Sequence, residues 1–297
     1  MANLFAARLA ASGVRVTMLG SWPDGLLALR HHGVGLVNKD GNHQRFPVRV
    51  IDNPTDGLGS SYALVLVKSW QTPRAAQQLA VCLEKDGLAL TLQNGLYNHQ
   101  ILVDALGPQR AALGVTTTGA TLQQPGLVLP VGDGLISLGT HERIDPIADM
   151  LSEAGFKVEM IADTSALLWG KLVINAAINP LTALLRVQNG ELLGRPTIRE
   201  LLGSTAREAA KVAGAQGIQL PYTDPVKVVE NVAFRTAKNY SSMLRDIERG
   251  APTEIDAING AIVTAGEQSA VPTPINRALW ELVKGLVYNH QSKKDGR

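Results

Sequence analysis

The residues best placed to do chemistry in this chain are a lysine and two asparagines in the segment TSALLWGKLVINAAINPLTALL. Lys171, Asn175 and Asn179 are spaced four apart, so each is rotated only about 40° from the one before and all three line one stripe of a helix. Leu, Val, Ile and Ala surround the stripe, which marks the helix as buried. A lysine and two amides in that setting must be paired or must face a polar cleft. Pro180 falls inside the same pattern, where it removes a backbone hydrogen bond and costs roughly 3 kcal/mol in a regular helix. A kink beside a polar stripe suits a binding site. The alternative, a solvated stripe on a surface helix, fits less well, because asparagine is a poor helix former.

A second cluster lies in SSMLRDIERGAPTEID. Ser242 and Asp246 are again four apart, on a helix that the pattern ends at Gly250. Thr253 is positioned to N-cap the next helix, with Asp256 where a capping box places its acid. Glu254 then falls in the first helical turn, where the macrodipole favours a carboxylate. By itself such an acid is an ordinary helix-start residue. In the first half of the chain, VKSWQ sets Lys68 just beyond the buried strand ALVLV, and LQNGL sets Asn94 just beyond the next strand. Open α/β sheets bind ligands at the carboxyl ends of their strands, although Asn94-Gly95 also fits a plain turn.

The elements that must position these residues divide the chain near residue 163. Before it, strands at 14–19, 63–67, 88–92 and 111–115 alternate with helices at 23–32, 72–84 and 97–106, the pattern of a mostly parallel, doubly wound sheet. GLVLPVGDGLISLG then reads as two strands joined by a Gly-Asp-Gly turn, forming an antiparallel edge. A helix at 146–154 and a strand at 157–161 complete this half. Beyond it the strand signals vanish, and helical patterns cover 165–185, 195–216, 224–238, 241–249, 254–269 and 273–288. The expected plan is a nucleotide-binding α/β domain over 1–162 and a helical substrate or dimerisation domain over 163–297. QSKKDGR reads as a solvated tail.

Composition narrows the function classes. Twenty-eight basic against 26 acidic residues, without a basic block, point away from nucleic acid and from an anionic membrane surface. No apolar run approaches the ~18 residues that span a bilayer, and no signal-peptide pattern opens the sequence. The single cysteine, Cys82, excludes a disulfide framework, suits a reducing, cytoplasmic setting, and reads as a small buried hydrophobe instead of a reactive thiol. No metal-ligand spacing of Cys, His or carboxylates is present.

LFAARLA, VKSWQT, QNGL, GVTTTGA, WGKLVINAAINPLTAL, NGEL and SSMLRDIERGAPTEIDAINGAIV, in this order and over essentially the whole chain, resemble the ketopantoate reductase family. The resemblance implies a Rossmann-type domain followed by an all-α domain of the 6-phosphogluconate dehydrogenase C-terminal type. It implies NADPH-dependent reduction of 2-dehydropantoate to (R)-pantoate, a step of pantothenate and coenzyme A synthesis. By the same resemblance Lys171 corresponds to the general acid, and Asn175, Asn179, Ser242 and, less directly, Asn189 to substrate contacts. Asn94 matches a residue between nicotinamide and substrate, Ala120 a backbone contact to the cofactor, Glu254 a carboxylate near the nicotinamide end, and Asp246 a supporting acid. Hydride transfer to a carbonyl builds negative charge on oxygen, which a positioned ammonium stabilises and then protonates. A neighbouring Glu254 favours that ammonium against desolvation.

Cofactor choice follows from the strand ending Leu19-Gly20-Ser21-Trp22, which lacks the acid that holds the ribose hydroxyls of NAD and so permits NADP(H). Where Ser21 stands the family often has arginine, so the 2′-phosphate is expected on Ser21 with another cation, Lys68 or Arg30. Other 2-oxoacid or β-hydroxyacid reductases share the two-domain plan, as does a nucleotide-binding homologue without turnover; a buried lysine paired with Glu254 argues against the latter. A homodimer through the helical domain is a further expectation. Met1 to Gly13 reads as the helix of a βαβ unit entered in mid-motif. Aligning Met1-Ala2 with the last residues of the family's glycine turn gives the expectation of about ten upstream residues that carry a strand and a phosphate turn. Gly57-Leu58-Gly59 does not replace that turn, since it precedes a strand.

Overall fold

The computed structural model describes residues 1–38, 40–132 and 134–295, with side chains through residue 287. It divides into two compact units: residues 1–93 with 98–164, and residues 94–97 with 165–297. The short loop 94–97 thus belongs with the helical half, although its sequence neighbours belong with the sheet.

The first unit opens with α1 (Ala2–Ala11), which buries Leu4, Phe5 and Leu9, and continues with β1 (Thr17–Leu19) and α2 (Pro23–His32). Next come β2 (Val34–Val37), β3 (His43–Phe46), β4 (Arg49–Ile51) and β5 (Ser60–Val65). They are followed by α3 (Thr72–Cys82), β6 (Leu83–Thr91), α4 (Asn98–Leu106) and β7 (Ala111–Thr116). The last elements are β8 (Gly119–Gln124), β9 (Leu127–Val131), β10 (Leu135–Gly139), α5 (Asp145–Glu153) and β11 (Lys157–Ile161).

Five strands form one sheet in the order β11-β10-β7-β6-β5, with β5, β6 and β7 mutually parallel. The period-2 alternation of β6 explains its double burial. Leu88 and Leu90 join a core with α1 and α5, while Ala89 joins one with α3 and α4. A second group has the order β3-β2-β9-β8, and among the described residues β1 pairs only with β4, in parallel.

Three expectations change here. GLVLPVGDGLISLG is no hairpin: β9 pairs with β2 and β8, whereas β10 pairs antiparallel with β7 and parallel with β11. The turn residue Asp133 lies outside the described residues. The segment 34–51, which carries no clear strand signal because its strands are three or four residues long and interrupted by Arg, Gln and His, supplies β2, β3 and β4. Finally, ALVLV is half-exposed instead of fully buried, because β5 is the edge strand of its sheet.

Among the described residues, β5 carries no partner on its outer edge. Between β1 and β5 lies a cavity of about 280 Å³, lined by both strands, by Phe5 and Leu9 of α1, by Leu151 of α5 and by Leu79 and Cys82 of α3. No strand among the described residues occupies it. The Cys82 thiol is buried, and desolvation raises its pKa, in keeping with a packing role.

The second unit is helical, with α6 (Thr164–Leu185), α7 (Pro196–Ala215), α8 (Pro225–Arg235), α9 (Ser242–Glu248), α10 (Ala261–Gln268) and α11 (Pro274–Asp295). Helix starts follow their caps: Asp224 accepts from Val226 and Lys227, and Ser241 accepts from Leu244. α11 continues to Asp295, through most of the stretch read as a tail; its last two residues, 296 and 297, lie outside the described residues. α6 is the centre of this unit, contributing Trp169, Leu172, Val173, Ala176, Ala177 and Leu181 to its core. Contrary to the sequence expectation, α6 is long and apolar enough to cross a membrane by length and composition, because mean hydropathy averages over Lys171, Asn175, Asn179 and the helix's hydroxyl residues. Sixty-seven per cent of that window is buried within the fold, as for a core helix.

Candidate functional site

The polar stripe sits on α6 as its spacing requires. Asn179 is buried, while Lys171 and Asn175 keep intermediate exposure in an otherwise apolar helix. No hydrogen bond engages the side chain of Asn175 or Asn179 among the described residues. Two uncommitted amides beside an ammonium can receive the carboxylate and hydroxyl of a small acid.

α6 passes through Pro180 without ending, and the carbonyl this residue leaves without a helical partner is that of Ala176. Asn259 takes it, its Nδ2 donating to the Ala176 oxygen at 3.1 Å. Three residues beyond Asn179, Thr182 donates to Ser241 Oγ at 2.7 Å, which joins α6 to the start of α9. Ser241 is therefore the buried serine of the SS pair, and Ser242 is exposed at the first turn of α9. Asp246, one turn further on, is buried.

Glu254 is placed differently from the sequence expectation. It precedes a π-helical turn, Asp256–Gly260, that leads into α10, and so is not in the first turn of an α-helix. Thr253 forms no cap there. Asp256 instead accepts from Trp280 Nε1 at 2.7 Å, which draws it away from a capping box. The Glu254 carbonyl still accepts from Ile258 N at 3.1 Å, which ties the residue to the turn. Its side chain is 6% exposed and meets Asn94, whose Nδ2 donates to Glu254 Oε2 at 3.5 Å.

That contact explains why 94–97 clusters with the helical unit. Leu96 N donates to the Ala257 carbonyl at 3.0 Å, so the loop is seated on the π turn. Gly95 has φ +87°, and a Cβ there would lie 2.5 Å from the Ala257 oxygen. Only glycine suits both the backbone conformation and the approach.

Lys171 and Glu254 interact electrostatically. Burial pulls the Lys171 pKa down from 10.5 to about 8, against an opposing upward effect of the Glu254 carboxylate. Desolvation wins, yet at pH 7 roughly nine in ten molecules keep the ammonium. Lys171, Glu254 and Asn94 thus form one linked group in the helical unit, with Asn175 and Asn179 on the lysine's own helix.

Asn189 sits at the start of the turn Asn189–Leu192, and its Nδ2 donates to Thr236 Oγ1 at 2.9 Å. That bond anchors the loop to the end of α8. In the α/β unit, Ser21 is exposed just after β1, Lys68 follows β5 with its N–H donating to Gln71 Oε1, and Ala120 lies on β8 opposite Pro130. Arg30, the alternative cation, is bound to Asp52 at 2.8 Å. Sequence reasoning missed Ser241, Thr182 and Asn259. The missing hydrogen bond implied by Pro180 was the available signal for the last.

Comparison with known proteins places the chain in a family. Residues 1–143 match the family model described as ketopantoate reductase PanE/ApbA, and residues 163–287 match that of its C-terminal domain. The chain belongs to the ketopantoate reductase family. Among its relatives, the 2-dehydropantoate 2-reductase of Archaeoglobus fulgidus is 39% identical over 75% of each chain. That of Halobacterium salinarum is 32% identical over 96% of this chain and 95% of its own. A crystal structure of a PanE/ApbA family ketopantoate reductase from Ralstonia eutropha JMP134 superposes with a TM-score of 0.90 at 29% identity, covering 97% of this chain and 95% of that one. D-mandelate dehydrogenase in ternary complex with NADH and anilino(oxo)acetate gives 0.88 at 26%, with the same coverage. Members of the ketopantoate reductase family are nucleotide-dependent reductases, so the fold expected from the sequence, a Rossmann-type sheet followed by an all-α domain, is the fold of the family.

Proposed function

We propose that this chain reduces 2-dehydropantoate to (R)-pantoate with NADPH, and that Lys171 is the general acid. The observation that carries the reading is the partly desolvated Lys171 interacting with Glu254, on one helix with the unengaged amides of Asn175 and Asn179. When bound, the cofactor supplies hydride to the C2 carbonyl. Lys171 stabilises the charge that grows on the carbonyl oxygen and delivers its proton there. Asn175, Asn179 and the exposed Ser242 hold the substrate carboxylate and hydroxyl as uncharged donors, so they do not compete for that proton. Asn94 and Glu254 serve the nicotinamide end, and Asp246 supports α9. Asn189 has the weaker claim to a substrate contact, since its amide nitrogen already serves Thr236.

For the nucleotide, residues of the α/β unit fit an NADP-type ligand. Ser21 is exposed after β1 with no acid beside it, Lys68 follows β5, and Ala120 offers its backbone on the terminal strand β8. Arg30 is the poorer choice for the 2′-phosphate, being held by Asp52. The cavity between β1 and β5 has strand edges on two sides and helix residues above and below, with the N-terminal residue of α1, Ala2, on its lining; main-chain N–H groups at a helix N-terminus favour a pyrophosphate. A homodimer through the helical unit remains part of the proposal, with sedimentation as its check.

Steady-state rates with 2-dehydropantoate and a panel of 2-oxo acids, each with NADPH and NADH, test the reading. Preference for NADPH and 2-dehydropantoate is expected. The likeness to D-mandelate dehydrogenase with NADH favours one alternative, a different 2-oxo acid reduced with NADH, and a clear preference for that pair would replace the proposal.

A further inference from the structure

The carbonyl freed by Pro180 leads into a chain of buried amides. Asn259 is fully buried on the π-helical turn, and its Nδ2 donates to Ala176 O at 3.1 Å and to Asn276 Oδ1 at 3.0 Å. Asn276, equally buried on α11, donates in turn to Thr205 O at 3.3 Å and to Glu208 Oε2 at 2.9 Å. Glu208 also accepts the backbone N–H groups of Ile275 and Asn276, which fixes it at the start of α11. The orientation of each amide follows from this order: both partners of Asn259 Nδ2 are acceptors, and so are both partners of Asn276 Nδ2. Asn259 Oδ1 has no partner, so the residue accepts a desolvation cost to keep its nitrogen on α6.

That nitrogen is a direct bond between α6 and the turn on which the rest of the site is built. The turn holds Glu254 through Ile258 and holds the Asn94 loop through Ala257. We propose that Asn259 is a positioning residue of the active site, using the main-chain carbonyl released by Pro180 as the fixed point that sets Glu254 and Asn94 against Lys171. Pro180 and Asn259 then act as one device: the proline withdraws a helix hydrogen bond, and the asparagine spends the freed acceptor on holding the opposite wall. In a regular helix that carbonyl would already accept an N–H from the following turn. The inference rests on the reading of Lys171 as the acid only for its kinetic consequence, since the placement of Glu254 against Lys171 can be read without turnover.

The test compares Asn259→Ala, Pro180→Ala and the double variant in the full chain. Lys171 is titrated by NMR on lysine-labelled protein, assigned through Lys171→Met, and kcat, KM and the pH profile of kcat are measured alongside thermal melting. If Asn259 positions Glu254, Asn259→Ala weakens the upward pull on Lys171, so its titration moves below the parent value. The alkaline limb of kcat follows, and kcat drops on the order of tenfold with KM for NADPH nearly unchanged. Pro180→Ala restores an N–H for the Ala176 carbonyl, so the double variant keeps its fold even where the single one melts. It should still show the lowered lysine titration and the lowered kcat. Should Pro180→Ala instead return the Asn259→Ala protein to the parent titration and kcat, Asn259 only satisfies a stray carbonyl and the inference falls. A lysine titration that moves while the pH profile does not would keep the positioning role and overturn the assignment of Lys171 as the acid.

Discussion

The two units treat the same requirement, that buried backbone groups find partners, in opposite ways. In the helical unit even the single carbonyl released by Pro180 is matched, by Asn259. In the α/β unit two strand edges, of β1 and β5, border a cavity of about 280 Å³ with no strand between them among the described residues. The helical unit thus pairs the backbone group that its own proline releases. The α/β unit leaves two strand edges beside a cavity. Rigid placement of a proton donor needs the first kind of interior. The second kind makes stability a local property, lowest at β1, β4 and β5.

The largest effect that would sharpen this contrast is chemical. On the proposed role, Lys171→Ala should lower kcat by about 10³-fold while leaving NADPH affinity within roughly threefold, because the proton donor is lost and the proposed nucleotide-binding residues are kept. Near-normal turnover would end the assignment. Hydrogen exchange should come next in magnitude. Amides of β1 and β5 are expected to exchange at least ~100-fold faster than those in the middle of α6, and equal protection would erase the contrast.

A smaller change is expected from Glu254→Gln. It removes the upward pull on the Lys171 ammonium, so the upper limb of the kcat profile, near pH 8 in the parent, should move to lower pH. A limb that stays in place would mean that another group titrates. Gly95→Ala should cost about 1–3 kcal/mol in unfolding free energy, since the new Cβ meets the Ala257 carbonyl and the backbone is left-handed there. Denaturant titration measures it, and a neutral result would show that the loop shifts freely. Stability also depends on pH through this lysine. The folded Lys171 value lies below the ordinary 10.5, so the unfolded chain holds the proton more tightly, and this group's contribution to stability grows as pH rises from about 8 to 10.5. That rise should be absent in Lys171→Met.

Much of this was legible from residue types and spacing. α2 and β11 keep the bounds that Pro23, the terminal histidines and the LysValGluMetIle pattern set, and the stripe Lys171, Asn175, Asn179 lies on α6 as a four-residue repeat requires. What escaped has physical causes. β2, β3 and β4 are too short for periodicity to register, and the partnering of β9 and β10 is a long-range matter that a Gly-Asp-Gly turn does not decide. The π turn at Asp256–Gly260 escaped because Thr253 and Asp256 satisfy a capping-box pattern locally while Trp280 takes the acid away in three dimensions. Proposed site residues of the α/β unit were read with less physical support than those of the helical unit, since exposed Ser21 and Lys68 carry no burial cost that demands a reason.

The bond from Asn259 to Ala176 spans 83 residues, and that from Asn94 to Glu254 spans 160. Contacts so distant in sequence close large loops and form late in folding, after helices such as α6 have gained what local order they can hold alone. During synthesis the lysine and its two amides therefore leave the ribosome long before the wall that faces them. A nascent chain halted before residue 254 can carry every residue of the polar stripe and still have no site, so acquisition of activity marks the completion of folding in the helical half.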